Sequence, residues 1–342
     1  MMKQVTLGKT GIVSPQNAFG CLPIQRDSKE KAVSLLRRAY DGGMRYFDTA
    51  RAYSDSEEKV GEAFAGMKEK VFIATKTQAK TPEVFWKDLE TSLKMLRTDY
   101  IDVYQFHMAD TCYRPDDGTG MYECMVEAKA KGLIRHIGVT AHKIQVAFDC
   151  VNSGLYETLQ FPFSYLASPR ELELARLCQE KQVGFICMKG LAGGLITRSD
   201  AAMAFMSQYE NALPIWGIQR DRELDEWLSY MDETPNMTDE LKGYIEKEQA
   251  ELSGDFCRGC GYCMPCPMGI QINNCARMSL MLRRAPSKDW LNEKWQTEMK
   301  KIETCINCRQ CTKKCPYELS TPELLKKNYE DYKKVLAGTV RV

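Results

Sequence analysis

Residues 45–77, RYFDTARAYSDSEEKVGEAFAGMKEKVFIATKT, decide how the chain folds. RYFDTA and VFIATKT are short apolar runs of strand length. SEEKVGEAFAG between them repeats its apolar side chains at helical spacing. A strand, a helix and a second strand in so short a stretch imply a right-handed crossover that brings the second strand parallel to the first.

The same unit recurs on both sides. Upstream, NAFGCLPI reads as a strand and SKEKAVSLLRRAYDGG as an amphipathic helix closed by glycines. Downstream come the helix PEVFWKDLETSLKML, the strand IDVYQFHMA and the helix MYECMVEAKAKGLI. HIGVTAH, TLQFPFSYL, GFICMKG and LPIWGIQ supply four more strands, with SPRELELARLCQEKQ and DRELDEWLSYM among the helices. Eight such units predict an α/β fold of the closed (β/α)8 TIM-barrel type rather than a doubly wound sheet. The barrel is expected over residues 1–237 and a polar connecting helix over 238–253. A small ferredoxin-like iron–sulfur domain with a C-terminal helix is expected over 254–342.

The 342 residues suit a barrel plus an appendage, and 44% hydrophobic content is enough for a sizeable core. A net charge of +1 gives no global field for nucleic acid or an acidic membrane, so neither is an expected partner. The start, MMKQVTLGKTGIV, lacks the apolar region of a secretory signal, and a cytoplasmic location is expected.

Fifteen cysteines are many for such a compartment, where disulfides are disfavoured. Six are scattered (Cys21, Cys112, Cys124, Cys150, Cys178 and Cys187) and read as small core residues. The other nine fall between Cys257 and Cys315 in two runs, CRGCGYCMPCP and CINCRQCTKKCP, plus Cys275. A C-x2-C-x2-C turn offers three thiolates to one cubane, and the cysteine before proline serves the other cluster. On that scheme Cys257, Cys260, Cys263 and Cys315 hold one 4Fe-4S cluster, and Cys305, Cys308, Cys311 and Cys266 hold a second. The first run is one residue short before Cys266, and Cys275 is a spare. Structural zinc is the alternative, but it needs four ligands and is overfilled by eight. The runs resemble a two-cluster ferredoxin domain.

Four polar residues stand at the ends of three successive strands, where barrel enzymes place their chemistry. Asp48 and Tyr53 follow the second strand, Lys76 ends the third and His107 ends the fourth. Lys76 in a barrel mouth needs a carboxylate, which Asp48 supplies. A cation beside Tyr53 is expected to lower the phenol's pKa so that it donates a proton to a developing alkoxide. His107 is placed to orient a substrate oxygen. Singly, each has a structural reading; together they form a general-acid site for a carbonyl.

LGKTGIVSPQNAFG and FDTARAYSDSEEKVGEAF resemble the aldo-keto reductase family, with Asp48, Tyr53, Lys76 and His107 as its tetrad. The whole chain resembles the bacterial members with a C-terminal ferredoxin-like module. The resemblance implies an NAD(P)-dependent oxidoreductase moving hydride between NADPH or NADH and a small-molecule carbonyl or alcohol. It places Phe163 as the nicotinamide platform and Gln160 at the carboxamide. Thr140 and Ala141 stand where the family often has Ser-Asn. Gly190, Gly193 and Gly194 are candidates for the pyrophosphate. At the 2′-phosphate position Glu223 replaces an arginine, leaving Gln219, Arg220 or Arg222 to compensate, so the choice between NADH and NADPH stays open. Cys112 and Tyr113 lie in a loop expected near substrate. The clusters are either structural or exchange electrons with a redox partner protein. The alternative reading is an electron-transfer or redox-sensing protein on a barrel with a weak nicotinamide site.

Overall fold

The computed structural model describes residues 2–252, 256–284 and 287–341. Two compact units emerge. One runs to Gly190 and takes in Ser199–Leu241; the other comprises Leu191–Arg198 and the chain from Lys242. The expected boundary at 253/254 lies outside the described residues.

The first unit opens with an antiparallel hairpin of β1 (Gln4–Thr6) and β2 (Val13–Pro15). Among the described residues, eight parallel strands follow: β3 (Ala18–Gly20), β4 (Tyr46–Asp48), β5 (Phe72–Thr77), β6 (Ile101–Phe106), β7 (Ile134–Thr140), β8 (Thr158–Pro162), β9 (Gly184–Met188) and β10 (Ala212–Gly217). They pair in chain order, and β10 closes on β3, so the expected barrel is formed. Between them stand α1 (Lys29–Asp41), α2 (Ser56–Ala63), α3 (Pro82–Leu96), α4 (Met121–Ala130), α5 (Ile144–Ser153), α6 (Pro169–Glu180) and α7 (Ser199–Met206); α8 (Asp221–Asp232) follows β10.

Local chemistry starts several helices. Ser28 and Thr81 accept from backbone amides of α1 and α3. Ser168 and Glu171 form a reciprocal capping box on α6, with Pro169 at its first position. Each such cap contributes about 1 kcal/mol.

Hydrophobic burial closes one end of the barrel. Val5, Leu7 and Ile12 of the hairpin region pack on Ala18, Tyr46, Ala74, Val103, Ile186 and Leu213. Each large apolar side chain buried this way contributes roughly 1.5–3 kcal/mol. The carboxyl ends of the strands are left for polar residues.

The second unit is built, among the described residues, from helices and loops without a strand. Its elements are most of α9 (Asp239–Glu251), then α10 (Ile272–Cys275), α11 (Met278–Arg284), α12 (Glu293–Lys300), α13 (Gln310–Lys314) and α14 (Thr321–Leu336). Ile270, Ile272, Met278, Leu282, Met299, Leu325 and Tyr332 form its core. Buried Asn328 of α14 accepts from Ser279 N at 2.8 Å and donates to Ala276 O at 3.1 Å, which fixes α14 against α11. Arg283 and Asp331 add a two-point ion pair between the same helices.

Candidate active site and cysteine cavities

The four expected residues lie at or just beyond the carboxyl ends of β4, β5 and β6. Asp48 is the last residue of β4 and Lys76 the next to last of β5. His107 follows β6 directly, tied by its amide to Thr77 O at 2.7 Å. Tyr53 lies in the turn into α2, where Tyr53 N donates to Ala50 O and Ser56 N to Tyr53 O. Ser56 Oγ donates to Cys21 O at 3.0 Å and anchors that turn to the end of β3.

The four residues meet. Lys76 Nζ donates to Asp48 Oδ2 at 2.6 Å and to Thr49 O at 2.5 Å. It also lies 5.2 Å from the Tyr53 ring centroid. Tyr53 and His107 rings meet edge to face at 5.7 Å. The sequence reading missed Gln105, whose Nε2 donates to Asp48 Oδ1 at 3.4 Å and to Gln160 Oε1 at 3.1 Å. Gln105 precedes His107 by two residues, so strand period alone puts both on one face.

The electrostatics differ from expectation at one point. Burial pushes the Tyr53 phenol above its ordinary range, and Lys76, which pulls it down, does not outweigh that. The phenol is therefore protonated at neutral pH, as a proton donor must be. Burial opposes the Lys76 charge, but Asp48 and Tyr53 outweigh it and keep the ammonium protonated. Burial and then Lys76 drop His107 to about 3, so its imidazole is neutral. Its Nδ1 is a buried atom without a hydrogen-bond partner.

The residues expected around the nicotinamide divide. Thr140 ends β7 and Gln160 lies in β8. Thr140 Oγ1 accepts from Met108 N at 2.7 Å, and the Gln160 amide joins the Asp48 network. Phe163 is enclosed at 2% exposure by Phe185, Phe205 and Tyr209, with ring centroids 5.1–5.5 Å away, and offers no open face. Gly190 has a packing reason: a Cβ there would stand 2.4 Å from the Trp216 indole. Gly193 and Gly194 belong to the second unit, where Gly193 O accepts from Arg277. The Glu223 carboxylate accepts from the backbone amides of Gln219 (2.9 Å) and Arg220 (3.0 Å). Tyr113 is packed on Phe106, and its carbonyl accepts from Tyr156, so it is a core residue.

The cysteine runs share one backbone pattern. The second residue after the first cysteine is left-handed in both loops, Gly259 (φ 68°) and Asn307 (φ 53°). So is the residue after the second cysteine, Gly261 (φ 84°) and Arg309 (φ 57°). Such alternation turns successive amides inward, toward thiolate sulfurs; Gly259 N already donates to Cys257 Sγ at 3.4 Å. Two cavities result. Cys257, Cys260, Cys263 and Cys315 line the first. Cys266, Cys305, Cys308 and Cys311 line the second, where Cys263 also reaches. Among the described residues, no three His, Cys, Asp or Glu side chains converge as a single-ion site requires. The thiols line two cavities, and their spacing fits 4Fe-4S ligation. Cys275 lines neither cavity; it is wholly buried in the core, and burial pushes its thiol up to about 12.

Comparison with known proteins accords with both units. Residues 17–245 match the Aldo/keto reductase family, and residues 256–320 match the 4Fe-4S dicluster domain. The chain is 26% identical over 269 residues to the uncharacterized oxidoreductase YqkF of Bacillus subtilis, covering 74% of this chain and 85% of that one. A methylglyoxal reductase of Escherichia coli is 34% identical over 137 residues, covering 39% of this chain and 48% of its own length. The fold matches the holo form of a Bacillus halodurans aldo-keto reductase with a TM-score of 0.64 at 22% identity, covering 72% and 96% of the two chains. An aldo-keto reductase from Klebsiella pneumoniae in complex with NADPH gives 0.61 at 21% identity, covering 72% and 95%. With an eight-stranded barrel matched over two thirds of its length, the chain belongs to the aldo/keto reductase family of oxidoreductases and carries a 4Fe-4S dicluster domain after the barrel.

Proposed function

We propose that the barrel reduces a small-molecule carbonyl, or oxidises the alcohol, with Tyr53 as general acid and base. The observation that carries this is the buried contact of Lys76 with Asp48 beside a protonated Tyr53 and a neutral His107. A nicotinamide dinucleotide, when bound at the mouth, supplies the hydride. The His107 ring holds the carbonyl oxygen in place, and Tyr53 gives it a proton as negative charge develops. Lys76 steadies the phenolate that results, and Asp48 with Gln105 and Gln160 holds Lys76 in position. On the family resemblance Thr140 and Gln160 hold the nicotinamide; both are enclosed, at 1% and 2% exposure, like Phe163. The 2′-phosphate of NADPH has less support, because Glu223 occupies the Gln219 and Arg220 amides.

The eight cysteines hold two 4Fe-4S clusters in crossed sets, Cys257, Cys260, Cys263 and Cys315, then Cys305, Cys308, Cys311 and Cys266. Two cavities lined by those sets support it. The enclosed Phe163 favours a second reading, an electron carrier with a weak nicotinamide site.

Anaerobic titration with NADPH and then NADH separates the readings. Nicotinamide fluorescence and cluster absorption are followed together, then a carbonyl panel is run. Binding with carbonyl turnover supports the reductase. Failure to bind either nucleotide sinks it and leaves the carrier.

A further inference from the structure

The two cysteine cavities differ in how they meet solvent. The first is lined by Ala276, Leu319, Leu324 and Tyr317, and the Arg258 guanidinium lies 4.2 Å from the Tyr317 ring. The second is open. Among the described residues, Cys308 is the one exposed cysteine. Beside it Ile306 is 62% exposed, and Met268 is 37% exposed. Both line the same cavity, as do exposed Pro265 and Pro267. Apolar side chains gathered around a redox-active opening mark a contact surface.

Charge completes the description. Arg309 flanks Cys308, and Lys313 and Lys314 of α13 stand between Cys311 and Cys315, all three exposed. Lys313 and Lys314 form no ion pair with the described residues; Arg309 pairs with Glu323 at the surface. From Lys242 onward the chain has 18 Lys and Arg against 12 Asp and Glu, whereas the whole chain has 47 against 46. The excess of positive charge is therefore confined to the cysteine unit.

We infer that the face formed by Ile306, Met268 and Cys308, flanked by Arg309, Lys313 and Lys314, is the docking site of an acidic one-electron carrier protein. This rests on the proposal that Cys266, Cys305, Cys308 and Cys311 hold a cluster. One electron passes between carrier and cluster through the sulfur side of Cys308, with no bond made or broken. The apolar centre excludes water from the contact, and the basic flank steers the approach.

The test uses the full chain with its clusters under anaerobic conditions and a small acidic flavodoxin as probe. Binding is measured by surface plasmon resonance at several salt concentrations. Electron transfer from flavodoxin hydroquinone is measured by stopped-flow absorbance. Association is expected to weaken as salt rises, and the double variant Lys313→Glu/Lys314→Glu to slow association about 10-fold or more. Ile306→Asp is expected to weaken binding at all salt concentrations. Lys87→Glu on α3 is expected to change nothing. Unaltered binding by the Ile306 and lysine variants, with normal cluster absorption, overturns the docking face alone. Absence of cluster absorption overturns both it and the ligand sets beneath it. Self-association in sedimentation that Ile306→Asp abolishes assigns the face to a second copy of the chain and overturns the carrier.

Discussion

Lys76 Nζ stands 2.6 Å from Asp48 Oδ2, with Lys76 at 0% and Asp48 at 2% exposure. A pair so enclosed is costly to break from one side. Lys76→Met would leave Asp48 with only the two 3.4 Å bonds from Gln105 and Gln160. The expected loss is about 3–5 kcal/mol of stability, read from urea unfolding at neutral pH. Adding Asp48→Asn to that variant is expected to recover part of the loss. A single variant as stable as the parent would mean that water reaches the pair.

Tyr53→Phe keeps the ring and removes the proton. Carbonyl reduction is expected to fall about 10²- to 10⁴-fold, with the visible cluster absorption unchanged. Because burial holds the phenol above its ordinary range, reduction should be level across neutral pH and decline only as Tyr53 ionises above it. A decline beginning below neutral pH would assign the proton to another group.

His107 links the site to acid stability. Its folded value near 3 lies below the ordinary 6.5 of a histidine, through burial and Lys76. The neutral form is thus favoured by folding. That contribution is full above pH 6.5 and is lost as pH falls toward 3. His142, also buried and lowered, acts in the same direction. His107→Asn should flatten the decline in urea midpoint between pH 7 and pH 5 without removing it. An unchanged slope would place the titration elsewhere.

The barrel was legible because its signal is repetitive. Apolar strands and amphipathic helices recur, and the strand ends pointed to four residues that do meet. The readable period fails at α5 and α7. SDAAMAFM of α7 is buried nearly all round, so it has no polar face to mark, and IQVAFDCVNS of α5 is rich in residues equally at home in strands. Phe163 shows a different limit. A ring at a strand end looks the same in sequence whether it faces a ligand or an aromatic cluster, and the long-range partners Phe185, Phe205 and Tyr209 decide. The cysteine spacing pointed to the two groups that line the cavities, whereas the place of Cys275 in the core shows only in the fold.

Cys275 and Cys266 make a direct contrast. Cys266 lines the second cavity; Cys275 lies among Met299, Ile302 and Tyr332. Cys266→Ser is expected to reduce iron and acid-labile sulfide toward one intact cluster per chain. Cys275→Ala is expected to leave both clusters and to cost about 1 kcal/mol or slightly more in packing. Iron counts that fall in the second variant and hold in the first would exchange the two roles.

Glu223 bears on nucleotide choice. Its carboxylate accepts from two amides at the start of α8, Gln219 and Arg220, in the region where the family resemblance puts the 2′-phosphate. A phosphate there would have to displace a group of its own charge, and charge-assisted bonds of this kind are strong. NADH carries no such phosphate and avoids the conflict. Glu223→Ser frees both amides and removes the repulsion. The ratio of kcat/KM for NADPH over NADH is expected to rise about 10-fold, the size of one charge-assisted hydrogen bond. The serine is too short to repeat both contacts, so α8 should lose about 1 kcal/mol of its cap. A ratio that does not move would mean that the adenosine end lies away from α8. A ratio that moves while carbonyl turnover with NADH is preserved would make Glu223 a determinant of cofactor choice rather than only a cap.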